Sequence, residues 1–585
     1  MPGRSIIDLQ STFLSRPMPL PVSSRSSIAL PAIAAILAAG CLRAPVVVTT
    51  PEPVAMTMTG ESPPTETDTI YDVVIRNGRV LDGAGNPWIL ADVAIAHGRF
   101  VKIGRVPARG HREIDATGKY VSPGLIDMMD QSGSALRSSG LAENKLRQGV
   151  TTAIGGEGGT PVAAGQVAAY FATLEKQGIS INFGSYFSES QARVAVIGRV
   201  DRPPTADELD RMRAIMDTAM RGGAMGMTTA LIYPPSSYAS TDELVEVGKV
   251  AARHGGIYAT HMRDEGKGVV GAIKEAIAIG ERAGMPVEIF HLKVAHKPGW
   301  GLIMDSVRTV IDAARERGVD VAADMYVYTA GGTGLEATIP AWAQEGGTDS
   351  LRARLARPEV RARLKREQVT GSPGWWNILE ASGGWDAVVL SNASNPANAH
   401  HQGKSIARIA QELNKDPADA AFDLVAAGRG RVSAIYHMMS EQDIETALRF
   451  PWTSIGSDAG AAAVTDSAPA SLPHPRGFGN FPRVIARYVK ERKVLTVEEA
   501  IRKMTSWPAT RMRLANRGVI KEGNWADVAI FDLEDLQDRA TWEQPTQVPT
   551  GIEWVLVNGV VTIERGRHTG AAAGHVLRGA GWDGR

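Results

Sequence analysis

The pattern of apolar and polar positions divides most of the chain into short β-type runs and longer amphipathic helical runs. The clearest unit lies at 257–293, where two β-rich runs that end at His261 and His291 flank a helical segment from Val269 to Gly284. This order is typical of a βαβ unit in a parallel sheet. Residues at the carboxyl ends of such strands point into a shared site, so we expect the two imidazoles to converge.

Strands and helices alternate in the same way from residue 123 to residue 504. Counted from Leu125, about eight β-rich runs occur, which is the number that closes a (β/α)8 barrel. Short alternating runs precede this stretch, with turn signals at Asn77-Gly78 and His97-Gly98, and β-type runs return after Pro508. The predicted fold class is therefore α/β, a (β/α)8 TIM-like barrel with a small β-sandwich domain built from both chain ends.

The amino-terminal segment has the features of a secretory signal. An apolar run from Ile28 to Ala39 follows Arg25, is too short to cross a bilayer, and leads into the string Leu-Ala-Ala-Gly-Cys that ends at Cys41. This string resembles a bacterial lipobox, in which the cysteine becomes the lipidated first residue. We therefore predict a lipid anchor at Cys41 and a location in the bacterial cell envelope, facing the periplasm or the exterior. The start is either Met1 or Met18.

The predicted domain organisation follows from these patterns. Its parts are a signal peptide and lipobox at 1–41, a disordered tether at 42–69, the first part of the β-sandwich at 70–122, the barrel at 123–504 and the second part of the β-sandwich at 505–585. The chain has one cysteine, so no disulfide forms within it, and 63 basic residues balance 63 acidic residues. This balance indicates no nucleic-acid partner.

The two strand-end histidines are the first candidates for chemistry. Two converging imidazoles suit a metal site or a general-base pair. The alternative is that each is a satisfied interior residue, and the pattern of the chain alone leaves both interpretations open.

Several motifs are similar to those of the amidohydrolase superfamily and, within it, to those of the N-acyl-D-amino-acid deacylases. The superfamily motifs lie at 72–78, 123–127, 500–509 and 518–527, and the deacylase motifs at 223–235, 258–265, 324–333, 456–458 and 474–476. The resemblance covers almost everything after the tether. It implies a metal-dependent hydrolase that cleaves the amide bond of N-acyl-D-amino acids or related D-configured peptides, and it speaks more strongly for kinship than for substrate.

The resemblance also implies a ligand set with one departure. Most superfamily members carry a His-x-His pair at the tip of the first barrel strand, where this chain has Met129 and Gln131, which are poor ligands for a divalent ion. The loop after the second strand supplies Glu157 as the matching ligand. The alternative interpretation of Glu157 is a solvated charge in a loop. Together with His261 and His291, Glu157 gives the composition of a catalytic zinc site. We expect one divalent metal, most simply zinc, and an empty first metal position.

The remaining roles also come from the resemblance. Asp458 corresponds to the carboxylate that accepts a proton from water and delivers it to the leaving nitrogen. The alternative interpretation is that Asp458 caps a helix. Lys293 and Arg476 correspond to residues that bind the substrate carboxylate. The aromatic candidates for the substrate pocket are Tyr233, Tyr326 and Tyr328. We expect one of the last two to be a packing residue instead.

Two other functions stay open at this stage. One is a non-catalytic binding lipoprotein that has lost its metal, and the other is a hydrolase of the same superfamily that opens cyclic amides. The expected partners are a small-molecule substrate and, through Cys41, a membrane. The sequence does not indicate an oligomeric state.

Overall fold

The structure, a computed structural model, describes residues 69–465 and 470–584. The predicted signal peptide, Cys41 and nearly all of the predicted tether lie outside the described residues. Within these residues, no helix is long and apolar enough to cross a membrane.

The strands and helices are numbered in chain order. The strands are β1 Ile70–Val80, β2 Ile89–Ala96, β3 Arg99–Gly104, β4 Arg109–Asp115, β5 Tyr120–Pro123, β6 Leu125–Asp130, β7 Val150–Gly155, β8 Asn182–Ser185, β9 Phe187–Ser188, β10 Gly226–Ala230, β11 Ile257–His261, β12 Val287–Ile289, β13 Val321–Met325, β14 Gly331–Gly334, β15 Val388–Asn392, β16 Ser433–Tyr436, β17 Thr453–Ile455, β18 Val528–Phe531, β19 Ile552–Val557, β20 Val560–Glu564 and β21 Arg567–His568. The helices are α1 Ala135–Ser138, α2 Glu143–Leu146, α3 Val167–Gln177, α4 Glu189–Ile197, α5 Ala206–Arg221, α6 Thr241–Arg253, α7 Val269–Ala283, α8 Ile303–Glu316, α9 Ala341–Gln344, α10 Thr348–Leu355, α11 Pro358–Thr370, α12 Ile378–Ser382, α13 Ile406–Leu413, α14 Pro417–Ala427, α15 Glu441–Leu448, α16 Arg476–Arg483, α17 Val497–Met504 and α18 Ser506–Arg511.

Parallel strands form two sheets that carry the candidate site. One sheet has the order β6-β7-β8, and the other has the order β17-β13-β12-β11-β10-β9. Only Tyr186 separates β8 from β9, and an isolated parallel bridge joins Asp130 to Ala459, close to the end of β17. All carboxyl ends within each sheet therefore lie along one edge.

The predicted βαβ unit is present as β11, α7 and β12. Helix α7 buries Ala272, Ile273, Ala276 and Ile277 at helical spacing, which is the apolar face that the sequence indicated. Gly284 ends the helix in a left-handed conformation, with φ at 77°. β11 and β12 then pair directly in parallel, which sets their two following segments side by side.

Strands from both chain ends share a nine-stranded sheet, as the alternating runs near the termini predicted in part. Its order is β21-β20-β19-β18-β5-β1-β2-β3, with β4 paired to β1. β5 and β18 pair in an antiparallel manner and join the two contributions. His97-Gly98 forms the predicted turn between β2 and β3.

The prediction of a turn at Asn77-Gly78 is wrong. Both residues lie inside β1, where the pairing with β2 shifts register between Ile75 and Gly78. Asn77 has a φ of 56°, so the left-handed conformation that the Asn-Gly pair favours serves a β-bulge rather than a hairpin. The Asn77 amide donates to Oδ1 of Asp92 at 2.9 Å and stabilises the irregular position.

An insertion between β13 and β17 was not foreseen. It contains the antiparallel sheet β14-β16-β15 and helices α9–α14. It has its own apolar core, which includes Leu335, Ile339, Leu355 and Phe422. The insertion could not be recognised from the sequence, because the strands and helices of the insertion have the same hydrophobic periods as βα units.

Candidate metal centre

Three strand ends bring the predicted metal ligands together. Glu157 lies two residues after β7, His261 is the last residue of β11, and His291 lies two residues after β12. Oε1 of Glu157 is 2.9 Å from Nδ1 of His261 and 3.2 Å from Nε2 of His291. One ligand atom of each residue lies within 4.8 Å of the others. The predicted convergence of the two imidazoles is therefore present, with their ring centroids 4.4 Å apart.

The electrostatics of this cluster suit a cation. Burial raises the pKa of the Glu157 carboxyl, but hydrogen bonds from His261 and His291 outweigh burial and hold that pKa well below its ordinary value. Nε2 of His261 is buried and has no hydrogen-bond partner among the described residues. Two imidazole nitrogens and one carboxylate oxygen that face one point form a ligand set with room for a further ligand, as in catalytic zinc sites.

Glu265 supports the histidines and was missed as a functional residue. Its side chain is buried, and Oε1 lies 3.0 Å from Nδ1 of His291 and also pairs with Nζ of Lys293. With the Nδ1 proton directed to this carboxylate, Nε2 of His291, which here contacts Glu157, is the nitrogen that would bind a metal. Burial and Lys293 lower the pKa of His291, but Glu265 and Glu157 outweigh them and raise it to about 9.

Asp458 lies beside this cluster, three residues after β17. Its backbone amide donates to the Met129 carbonyl at 2.8 Å, and its Oδ2 lies 2.8 Å from Nη2 of Arg476. Asp458 and His291 both have positive φ angles, at 49° and 37°. Non-glycine residues adopt this conformation at a cost and are found at functional sites more often than elsewhere. Asp458 is not a helix cap, because no helix begins at the following residues.

A buried ion pair holds the loop that carries Asp458. Asp127 accepts hydrogen bonds from the Ser457 amide at 2.8 Å and from the Ser457 hydroxyl at 2.6 Å. Nζ of Lys145 donates to Asp127 and to Oγ of Ser457, each at 2.8 Å. All three side chains are fully buried, so buried hydrogen bonds rather than solvent-exposed contacts fix the position of the loop.

A cavity of about 730 Å³ opens over the cluster. The predicted substrate-binding residues Lys293, Arg476, Tyr233 and Tyr326 line it. The insertion contributes further lining residues, namely Thr333, Glu336, Gln344, Trp376, Ile378, Arg431 and Met438. This size suits a small-molecule substrate.

Tyr328 lies outside the lining of this cavity. Its ring packs against His474 and Trp542, and its hydroxyl is buried without a hydrogen-bond partner among the described residues. Strand β13 ends at Met325, so the alternation that would place residues 326 and 328 on one face does not extend that far. Of the two tyrosines, Tyr326 is therefore the one at the site.

The two predicted carboxylate-binding cations differ in what they already contact. Lys293 is paired with Glu265 and lies 2.7 Å from Nδ1 of His291. Arg476 is paired with Asp458 through Nη2, whereas its Nε and Nη1 are buried with no hydrogen-bond partner in the described part of the chain. Arg476 therefore has donors to spare for a ligand.

The residues in the expected His-x-His positions do not form a second ligand pair. Met129 is fully buried in an apolar cluster with Met128, Ile154 and Tyr186. Gln131 instead points its amide toward the carboxylates of Glu157 and Asp458. The sequence identified Gln131 as a lost ligand but gave no sign of these contacts.

Comparisons with known proteins agree with this geometry. Residues 402–563 match the family model Amidohydro_3, described as amidohydrolase family. The chain is 31% identical to the D-aminoacylase of Alcaligenes xylosoxydans xylosoxydans over 529 residues, which are 87% of this chain and 97% of that protein.

Two solved structures are similar over the same extent. A D-aminoacylase studied for its binuclear metal centre, with activation by one metal and attenuation by a second, has a TM-score of 0.72 and 31% identity, and the match covers 87% of this chain and 100% of that one. The N-acyl-D-glutamate deacylase of Bordetella bronchiseptica, in complex with zinc and a phosphonate mimic of the tetrahedral intermediate, has a TM-score of 0.72 and 30% identity, with 87% and 100% covered.

Proposed function

Because the chain belongs to the amidohydrolase superfamily and, within it, to the N-acyl-D-amino-acid deacylases, we propose that it hydrolyses the linear amide bond of N-acyl-D-amino acids or related D-configured peptides in a metal-dependent reaction. The observation that carries this proposal is the convergence of Glu157, His261 and His291 beside Asp458 in one cavity. A metal-free binding protein would have no need for such a ligand set. The relatives cleave linear amides, which disfavours a cyclic substrate.

The proposed cofactor is one zinc ion held by Glu157, His261 and His291. Zinc is present in the related N-acyl-D-glutamate deacylase, and a single metal activates the related D-aminoacylase. Glu265 supports the choice, because a carboxylate behind a ligating histidine orients the ring and raises its basicity. When bound there, a divalent cation makes hydroxide available near neutral pH and polarises a carbonyl oxygen.

Asp458 performs the proton transfers in this proposal. Its carboxylate accepts the proton of the attacking water and later delivers it to the leaving nitrogen. The contact of Arg476 with Oδ2 at 2.8 Å fixes the orientation of this carboxylate toward the cavity. The backbone of Met129 and the buried pair of Asp127 and Lys145 hold the loop beneath it.

Substrate binding is assigned to the cavity residues. Arg476 binds the substrate carboxylate through the donors that have no hydrogen-bond partner in the described part of the chain, and Lys293 contributes positive charge from beneath. Tyr233 and Tyr326 provide hydroxyl groups and ring faces at the same wall. Tyr328 is not part of this pocket.

The proposal extends to the architecture. The two parallel sheets are taken as parts of one (β/α)8 barrel at 123–504, which the bridge between Asp130 and Ala459 and the single residue between β8 and β9 support. The nine-stranded sheet then belongs to a β-sandwich formed by 70–122 and 505–585, joined where β5 pairs with β18.

The cellular location is part of the proposal as well. The lipobox-like string that ends at Cys41 supports a lipid anchor, a tether up to residue 69 and an active site in the cell envelope, facing the periplasm or the exterior.

The test measures metal content and substrate preference together. We expect the purified full chain to hold one zinc per molecule and to hydrolyse N-acetyl-D-amino acids in preference to their L enantiomers. His261→Ala removes a ligand, so zinc content falls toward zero and kcat/KM falls on the order of 1000-fold. His254→Ala is the matched control, because His254 contacts Asp217 outside the cavity and has no part in the cluster.

Two results would overturn the proposed function. One is a purified chain that takes up no zinc, manganese or cobalt when these metals are added back after chelator treatment. The other is hydrolysis of hydantoin or dihydrouracil in a panel where every N-acyl-D-amino acid is inert.

A further inference from the structure

The side-chain amide of Gln131 lies between the two functional carboxylates. Gln131 follows β6 directly, and its Nε2 is 2.7 Å from Oε2 of Glu157 and 3.2 Å from Oδ1 of Asp458. These two carboxylates come from strand ends far apart in the chain. Gln131 is the side chain that links the proposed ligand to the proposed proton carrier.

The chemistry of the amide settles its orientation. A glutamine NH2 group carries two hydrogens on one nitrogen, and here each hydrogen has a carboxylate oxygen of a different residue to donate to. The reverse orientation would place the amide carbonyl against two carboxylate oxygens, and lone pairs would repel lone pairs. The nitrogen therefore faces the acids.

The four carboxylate oxygens then all have assigned partners. Oε1 of Glu157 faces His261 and His291, and Oδ2 of Asp458 faces Arg476. The two remaining oxygens are the ones that Gln131 bridges. Two carboxylates that approach each other need positive charge or hydrogen-bond donors between them, and the NH2 group supplies the donors.

A cation between Glu157 and Asp458 would have to displace this amide. It would also have no ligand from Met129, whose thioether is buried in an apolar cluster. In the related D-aminoacylase a second metal attenuates an activity that one metal supports. A neutral amide avoids that second charge and still ties the two carboxylates together.

We propose that the Gln131 amide takes the place of a second metal ion, restricts the site to one metal and holds Asp458 in register with Glu157. This inference rests on the proposed function, because it assumes one metal at Glu157, His261 and His291. Gln131 acts on the reaction by positioning Asp458.

The test counts metal ions in substituted full-length chains. Gln131→Glu removes both donors and adds a third carboxylate beside Glu157 and Asp458, so a second cation has oxygen ligands and a charge to bind. We expect zinc per chain to rise from one in the wild type to two in Gln131→Glu, by elemental analysis after dialysis and by calorimetric titration. Gln131→His is a second variant with the same expected direction, since it adds an imidazole ligand.

Gln131→Met tests the positioning role separately from the metal count. It keeps the length of the side chain without donors or charge, so zinc stays at one per chain while Asp458 loses its link. We expect kcat to fall about 10–100-fold with KM within about threefold of the wild type. Gln131 is exposed to the cavity, so these substitutions leave the apolar core unchanged.

The outcomes separate the two proposals. Two tightly held zinc ions in the wild type, or one in both Gln131→Glu and Gln131→His, would overturn the role of Gln131 and leave the proposed function standing. A wild-type kcat in Gln131→Met would overturn the positioning role. A wild type that binds no metal would overturn the proposed function, and this inference with it.

Discussion

Both ends of the parallel strands bury charged side chains, but within the described residues the cavity of about 730 Å³ lies at the carboxyl ends. At the carboxyl ends, Glu265 and Lys293 pair beside His291. At the amino ends, Arg511 contacts Glu288 and Asp320, and all three lie where β12 and β13 begin. The side chains of Arg511 and Glu288 are as deeply buried as those of Glu265 and Lys293.

The difference teaches that buried charge alone does not mark a functional site. Glu288 has one oxygen without a hydrogen-bond partner among the described residues, as His261 has one such nitrogen. Burial also raises the pKa of Glu288 to about 7, which could suggest a catalytic acid. In the described part of the chain, the carboxyl ends combine such atoms with a cavity that is large enough for a substrate.

The largest expected effect comes from Asp458→Asn. Loss of the proton carrier lowers kcat about 100–10,000-fold, while zinc stays at one per chain because Asp458 is not in the ligand set. Elemental analysis and steady-state kinetics on N-acetyl-D-amino acids measure both. Asp320→Asn, at the amino ends, is the control and leaves kcat unchanged. A variant that loses zinc but keeps its kcat would contradict the assignment.

A smaller effect is expected when one buried carboxylate is neutralised at each end. Glu265→Gln removes the carboxylate partner of the buried Lys293, and Glu288→Gln removes one of the two carboxylate partners of the buried Arg511, so both lower the thermal midpoint. Only Glu265→Gln lowers zinc affinity, by about 10–100-fold, because Glu265 orients His291. Chelator competition measures the affinity. An equal loss of zinc affinity in both variants would contradict the assignment of Glu265, rather than Glu288, to the metal site.

The smallest effect concerns Lys503, which lies at the amino end of β17. Its ammonium donates to the carbonyls of Phe450 and Thr453, and burial lowers its pKa to about 8. Between that value and the unfolded value of about 10.4, the unfolded chain holds a proton that the folded chain has released, so raising the pH favours folding.

Lys503→Met removes this pH dependence. Relative to the variant, the wild type gains about 1 kcal/mol between pH 7 and pH 9, a shift of about 1–2 °C in the difference between their thermal midpoints. Scanning calorimetry across that range measures it. A difference that stays constant with pH, or grows as pH falls, would exclude the lowered pKa. The kcat of the variant stays at the wild-type value, because Lys503 is remote from the cavity.

The parts of the site that follow from strand geometry could be predicted from the sequence. His261 ends β11 and His291 lies two residues after β12 in one βαβ unit, and the parallel pairing of these strands brings the two side chains together. Glu157 needed the family resemblance, because a glutamate in a glycine-rich loop has no periodicity to place it. Glu265 was missed because its neighbours Arg263 and Asp264 make the segment resemble a solvated loop.

The errors have physical causes as well. Asn77-Gly78 favours a left-handed backbone, and both a hairpin turn and a bulge need one, so the local signal cannot choose between them. The insertion escaped notice because amphipathic helices look the same whether they pack on a central sheet or on each other. The contacts of Gln131 depend on the meeting of two distant loops, which no local pattern encodes.

The insertion has an evolutionary consequence. It leaves β13 and returns to β17, two strands that pair directly, and it closes an apolar interior of its own. Evolution can therefore change the cavity residues that the insertion contributes, such as Trp376 and Arg431, without changing the cluster at the strand ends. Transfer of this insertion to a related deacylase is accordingly a direct way to change substrate preference.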